Sequence, residues 1–156
     1  MEHSVTAPAQ RPATPNDPPP AGQRRVLLLG STGSIGTQAL DVIAANRDAF
    51  TVAGIAAGGS DPAAVAAQAV RFRVPIVALG RADAVPAPLA DAIDAARTAQ
   101  GVPAADYPAP KILTGPDAVA EIIATSGADI VLNGMDGSKG LEPTLLSLAT
   151  GATLAL

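Results

Sequence analysis

The stretch RVLLLGSTGSIGTQALDVIAAN, residues 25–46, decides how this chain folds. Its opening, residues 26–29, is an uninterrupted apolar run stopped by Gly30, the pattern of a strand buried on both faces of a parallel sheet. Its close, residues 35–46, sets Ile35, Ala39, Val42 and Ile43 at i, i+4, i+7 and i+8, the stripe by which a helix lies on a sheet. Between them, Gly30-Ser31-Thr32-Gly33-Ser34-Ile35-Gly36 must turn strand into helix. A turn this tight needs glycine wherever φ becomes positive or the backbone meets another group closely.

Outward from that unit the pattern repeats. Residues 51–57, 76–79 and 130–132 read as strands and 111–113 as a shorter one, with an apolar ending over 153–156. Helices are predicted over 62–72, with Asp61 as N-cap and Pro62 in the first turn, and over 116–125 and 142–149. Strand alternating with helix predicts an α/β fold, a doubly wound and mostly parallel sheet with helices on both faces. Residues 80–110 fit badly, since they hold five prolines and a helical stretch, 89–100, longer than a compact crossover requires. They read as a surface excursion with its own helix; in a second reading Arg81, Asp83, Asp91, Asp94 and Arg97 simply form a solvated, salt-bridged face.

Six of the fifteen prolines fall within residues 1–23, a segment nearly devoid of large apolar side chains. It cannot bury enough surface to offset its ordering entropy, so a disordered, partly polyproline II arm is expected there, leaving 24–156 as one small domain.

Composition narrows the chemistry. The 156 residues include one histidine, His3, and no cysteine, which excludes thiolate nucleophiles, cysteine-bound zinc and disulfides, and leaves a Ser-His-Asp triad dependent on a residue in the arm. Only Phe50, Phe72 and Tyr107 are aromatic and the formal net charge is -4, so few surfaces could stack or attract nucleic acid. No apolar run approaches the ~18 residues of a membrane helix, and the start, with Glu2 and His3, is not a signal peptide. A soluble, cytoplasmic protein that works through a cofactor or a partner is expected.

The glycine turn says which cofactor. Free amides at the N-terminus of the following helix, with the positive end of its dipole, suit a pyrophosphate, and Thr32 and Ser34 add hydroxyl donors. The spacing is G-x-x-G-x-x-G, one step from the usual dinucleotide fingerprint, while a Walker loop is excluded because no lysine precedes Lys111. NAD-selective sites carry an acid about 20 positions further on, at the end of the second strand. Here that place holds Ile55-Ala56-Ala57-Gly58-Gly59-Ser60, and the nearest acid, Asp61, is spoken for as an N-cap. The missing carboxylate favours NADP, although no arginine adjoins the site in sequence.

Residues 25–59, above all GSTGSIGTQALDVI at 30–43, resemble the amino-terminal domain of the 1-deoxy-D-xylulose 5-phosphate reductoisomerases. The resemblance resumes at Ala128-Asp129-Ile130-Val131-Leu132-Asn133-Gly134 and runs through Gly140-Leu141 and Pro143-Thr144-Leu145 to Thr153-Leu154-Ala155-Leu156. It implies a Rossmann-type domain that binds NADPH through Thr32, Gly33, Ser34 and Ile35 at the pyrophosphate, with Gly58, Gly59 and Ser60 near the adenosine 2′-phosphate. Gly59 and Ser60 depart from the lysine or arginine and the asparagine that many members carry there. Asp136 and Lys139 likewise replace apolar or threonine residues, and both are expected to point to solvent from their glycine-rich turn.

The family converts 1-deoxy-D-xylulose 5-phosphate, a phosphorylated ketose, to 2-C-methyl-D-erythritol 4-phosphate in the non-mevalonate route to isoprenoids, using NADPH and a divalent metal, Mg or Mn. Its Ala-Asn-Lys-Glu-Ser motif follows the residues that match 153–156, and its metal ligands lie further on. The resemblance therefore implies a cofactor-binding piece without catalytic or metal-ligating residues, inactive alone and with an apolar edge that invites a homodimer. The alternative is a non-catalytic paralogue that binds NADP or docks on another subunit. A semialdehyde dehydrogenase, which shares the glycine spacing, would need a cysteine that is not present.

Overall fold

A computed structural model of the protein describes residues 21–156, so most of the proline-rich arm expected over 1–23 lies outside the described residues. Ala21 and Gly22 form a turn, and Gln23 Nε2 donates to Arg47 O at 2.6 Å. The elements run β1 (Arg24–Leu29), α1 (Ser34–Ala45), β2 (Phe50–Ala57), α2 (Pro62–Phe72), β3 (Ile76–Leu79), α3 (Pro86–Gln100), β4 (Lys111–Thr114), α4 (Ala118–Thr125), β5 (Ile130–Asn133), a 3-10 turn (Gly137–Gly140), α5 (Leu141–Ala149) and β6 (Thr153–Ala155).

All five strand pairings are parallel and the order across the sheet is β4-β3-β2-β1-β5-β6. The alternation of side chains along each strand divides the core in two. Val26, Leu28, Ile55, Val77 and Leu79 face α1, α2 and α3, whereas Leu27, Leu29, Ala56, Ile76, Ala78 and Val131 face α4. Leu146 of α5 packs on that second cluster, so helices cover both faces as expected. Between β1 and β2 the register slips, with Val26 opposite Val52 but Leu27 opposite Gly54, and this bulge lets Val52 and Ile55 share a face although three positions apart.

The helix caps follow the sequence closely. Asp61 Oδ1 accepts from Ala64 N at 3.0 Å, with Pro62 in the first turn, and α2 ends on Arg73 in the left-handed region at φ 53°.

Two expectations need correction. On α1 the buried positions are Gly36, Leu40 and Ile43, whereas Ile35 and Val42 are 49% and 58% exposed. The cause is Gly36: it lies so close to the turn that it, and not Ile35, defines the inward line, and i, i+4, i+7 counted from it reaches Leu40 and Ile43. Residues 80–110 are not a surface excursion either. Helix α3 is the β3-to-β4 crossover, and its Leu89 and Ile93, one turn apart, are buried with Val65, Ala69 and Val70 of α2 in the first core cluster. Tyr107 anchors the return, its hydroxyl donating to Val74 O at 2.7 Å beneath the Arg97 guanidinium, which lies 5.5 Å above the ring. Of the salt-bridged face read as the second possibility, the Arg81–Asp83 pair at 2.7 Å lies on the outside, whereas Arg97, 2.6 Å from Asp94, has a side chain only 11% exposed. Among the described residues no helix is long and apolar enough to cross a membrane.

Candidate functional site

In a parallel sheet the crevice for a ligand opens at the carboxyl ends of the strands, where the chain direction of neighbouring crossovers reverses. Here that place is beside β1, which sits between β2 and β5. Three glycine-bearing turns converge there, from β1, β2 and β5.

The first is the turn over residues 30–36. Gly30 has φ +79°, and a Cβ on it would stand 2.9 Å from Gly134 O, so both conformation and contact exclude a side chain. Gly30 N and Ser31 N both donate to Ala56 O, at 2.9 and 3.0 Å, which ties the turn to β2. Gly36 is more confined still: a Cβ would lie 2.4 Å from Gly30 O and 2.6 Å from Ser31 Cα. The first turn of α1 is thereby pressed against the strand end. Its N-cap, Gly33, is extended at φ -75° and ψ 174° and offers no side-chain cap, and no acid lies in the first turn. The leading amides of α1 have no acceptor within the helix, and the helix dipole adds its positive end. Thr37 closes its own hydroxyl onto Gly33 O and Ser34 O, both at 3.0 Å.

Below this turn Ser31 is fully buried and its carbonyl accepts from Gln68 Nε2 of α2 at 2.9 Å. Ser31 Oγ and Gln68 Oε1 are buried without hydrogen-bond partners.

The third turn, 134–140, is organised by Asn133. Its buried Nδ2 donates to Gly140 O and Thr144 Oγ1, both at 2.9 Å, while its Oδ1 accepts from Met135 N at 3.1 Å. The turn then leans on the first, since a Cβ on Gly134 would be 3.3 Å from Ile35 Cβ.

Together these turns enclose a cleft of about 440 Å³, walled by Gly30, Ala56, Gly58, Gly80, Arg81, Val119, Met135, Lys139 and Glu142 among others. A larger hollow of about 660 Å³, between Gln23, Asp129 and Thr150, lies at the opposite, amino-terminal end of the sheet, away from the three turns of the cleft. It is an open gap between strand starts.

Of the residues singled out from sequence, Gly58 joins Gly30 in the cleft wall, and an added Cβ on Gly58 would meet nothing within 4 Å. Thr32, Gly33, Ser34 and Ile35 are exposed at the start of α1 and do not wall the cleft themselves. Gly59 borders a second, smaller hollow of about 170 Å³ with Leu79, Arg81 and Asp83, and Ser60 borders neither. Asp136 and Lys139 are both exposed, as expected, but Lys139 also walls the cleft.

Sequence reasoning missed Arg81, Asn133 and Gln68, because their roles come from strand order and from a neighbouring helix. Arg81 pairs with Asp83 through two bonds, Nε to Oδ1 at 2.9 Å and Nη2 to Oδ2 at 2.7 Å. The hydrogen bond and charge of the guanidinium hold the Asp83 carboxyl below its usual range, and the carboxylate raises Arg81 in turn.

The donor set fits a pyrophosphate-bearing nucleotide: uncapped amides with no acid in the first turn of α1, open space over Gly58, and at the cleft two cations, Arg81 and Lys139, against one acid, Glu142. No group of three or more His, Cys, Asp or Glu side chains that could hold a metal ion occurs among the described residues.

Sheet order and glycine turns define the class: a Rossmann-type nucleotide-binding domain. The 1-deoxy-D-xylulose 5-phosphate reductoisomerase family matches residues 26–156, and the chain belongs to that family. It is 50% identical over 134 residues to the 1-deoxy-D-xylulose 5-phosphate reductoisomerase of Cutibacterium acnes, covering 85% of this chain and 31% of that protein. The Mycolicibacterium smegmatis enzyme is 49% identical over 135 residues, covering 86% and 29%. The chain thus spans less than a third of the length of these curated relatives. Among solved structures, the Zymomonas mobilis reductoisomerase in complex with NADPH superposes with a TM-score of 0.66 at 28% identity, covering 86% of this chain and 31% of that one. A reductoisomerase in complex with magnesium shares the fold at a TM-score of 0.66 and 23% identity, covering 86% and 30%.

Proposed function

We propose that this chain is the NADPH-binding portion of a 1-deoxy-D-xylulose 5-phosphate reductoisomerase, and that alone it binds the cofactor without turning over the ketose phosphate. The observation that carries this reading is the uncapped start of α1, held against β1 by Gly36 and facing the switch point of the sheet. Thr32, Gly33, Ser34 and Ile35 hold the pyrophosphate through main-chain amides and two hydroxyls. Gly58 and Gly59 line the adenosine end, where small residues give the ribose room, and Ser60 follows them outside both hollows. When bound, NADPH supplies the hydride that reduces an aldehyde in the family's reaction. The protein's share in this portion is to anchor and orient the dinucleotide. The divalent metal and the phosphorylated ketose belong to the whole enzyme, a view supported by the fraction of its relatives that the chain spans.

Isothermal titration of the 156-residue chain tests this. Saturable NADPH binding, with no substrate-dependent NADPH oxidation, is the expected result. Absence of binding at millimolar NADPH would overturn the cofactor reading, and substrate-dependent oxidation would overturn the claim of inactivity.

A further inference from the structure

We infer that Arg81, carried on the neighbouring strand, is the residue that recognises the 2′-phosphate of NADPH in this protein, with Asp83 as its competitor. The assignment rests on the NADPH reading above and deepens it. The turn after β2, Gly58-Gly59-Ser60, has no cation of its own, yet a 2′-phosphate carries close to two negative charges at neutral pH and needs one.

Strand register supplies it. Ala56 and Ala57 pair with Ala78 and Leu79, and Gly80 N donates to Ala57 O at 3.0 Å. The two chains therefore leave the sheet side by side, which sets Arg81 next to Gly58 and Gly59. Arg81 walls the main cleft with Gly58 and the smaller hollow with Gly59, and among the described residues it is the one charged side chain that borders both. Gly58 leaves open space, an added Cβ meeting nothing within 4 Å, while Gly59 rests against the Leu79 side chain, which an added Cβ would meet at 3.4 Å.

The guanidinium is half-exposed and held by Asp83, whose side chain is 71% exposed. An ion pair so open to water contributes little to stability, so exchanging its carboxylate for a phosphate dianion is cheap. Both acceptors suit the planar fork of an arginine, which binds either through two parallel bonds. Asp83 thus orients the arginine when the site is empty and opposes the phosphate once it arrives. Lys139 stands on the β5 side with Gly30 and Met135, so its charge acts on parts that NADPH and NADH share.

The test is isothermal titration of the full chain and its variants with NADPH and with NADH, with circular dichroism confirming that each is folded. Arg81→Ala weakens NADPH about tenfold and leaves NADH unchanged, while Arg81→Lys keeps most of the preference. Asp83→Asn tightens NADPH several-fold, and that gain disappears when Arg81 is also alanine. Lys139→Ala weakens both cofactors alike. If Arg81→Ala changes neither cofactor, or both equally, the assignment is overturned and the NADPH reading stands. If the unsubstituted chain binds neither cofactor, both fall together.

Discussion

Gly36 carries more of the architecture than any large side chain of the turn. Nothing bulkier than hydrogen fits there, because the atoms an added Cβ would strike, Gly30 O at 2.4 Å and Ser31 Cα at 2.6 Å, are main chain and cannot rotate away. Gly36→Ala must therefore lift α1 off the end of β1. It is expected to destabilise the fold by about 2 kcal/mol or more, in the upper range for overpacking a tight contact. A urea titration followed by far-ultraviolet circular dichroism measures this; an unchanged midpoint would show that the helix can shift at no cost. The residue that matters most was legible in the sequence as part of a glycine motif, but its consequence for the helix face was not. Spacing of apolar residues assigned the inward line to Ile35, Ala39, Val42 and Ile43, of which Ile43 is buried and Ala39 packs on the core while Ile35 and Val42 are exposed, since a glycine contributes nothing to a hydrophobic stripe. Packing decides otherwise, because the closest approach to the strand belongs to the residue without a side chain.

At the level of elements, β1 to β5 are legible in the sequence because each is a short run ended by glycine, whereas their order across the sheet is not. The β3-to-β4 crossover is not legible either. Helix α3 buries only Leu89 and Ile93, the rest of its inward face being alanine, so periodicity is faint while the fit against α2 is close. Tyr107 locks this crossover, and burial raises its phenol above the ordinary value of 10.0, with Arg97 and Arg73 opposing that shift only in part. The folded state then keeps its proton at pH values where the unfolded chain has lost it. Since the unfolded state binds fewer protons, this contribution is complete below about pH 10 and falls as pH rises further. Tyr107→Phe is expected to cost about 1–2 kcal/mol at neutral pH, through the lost bond to Val74 O. The gap between the two proteins should narrow as pH rises past about 10, because phenylalanine has no proton to lose. Denaturant midpoints of both proteins at pH 7 and in alkali check it; a gap that is constant with pH would place the tyrosine's proton outside the folding equilibrium.

At the scale of the whole molecule, the surface is divided. The cleft end carries glycines and exposed charges, while the β6 edge carries leucines. Leu141, Leu145 and Leu148 lie at i, i+4 and i+7 along α5 and are 64%, 60% and 58% exposed, and Leu156 beyond β6 is 82% exposed. Scattered apolar residues on a surface mean little, but a line of them on one helix face is what a contact surface requires. Fully burying a leucine contributes about 1.5–3 kcal/mol, so covering this line offsets much of the entropy lost on association. The 156-residue chain is accordingly expected to self-associate through α5 at high micromolar concentration, and Leu145→Glu with Leu148→Glu should return it to monomer. Neither leucine walls the cleft, so NADPH affinity in the double variant should match that of the unsubstituted chain. Sedimentation velocity alongside cofactor titration measures both. A chain that stays monomeric without the substitutions would sink the proposed contact. Loss of NADPH binding in the double variant would mean that the leucine face and the glycine turns are coupled through α5, whose start is fastened to Asn133 by the bond from Asn133 Nδ2 to Thr144 Oγ1.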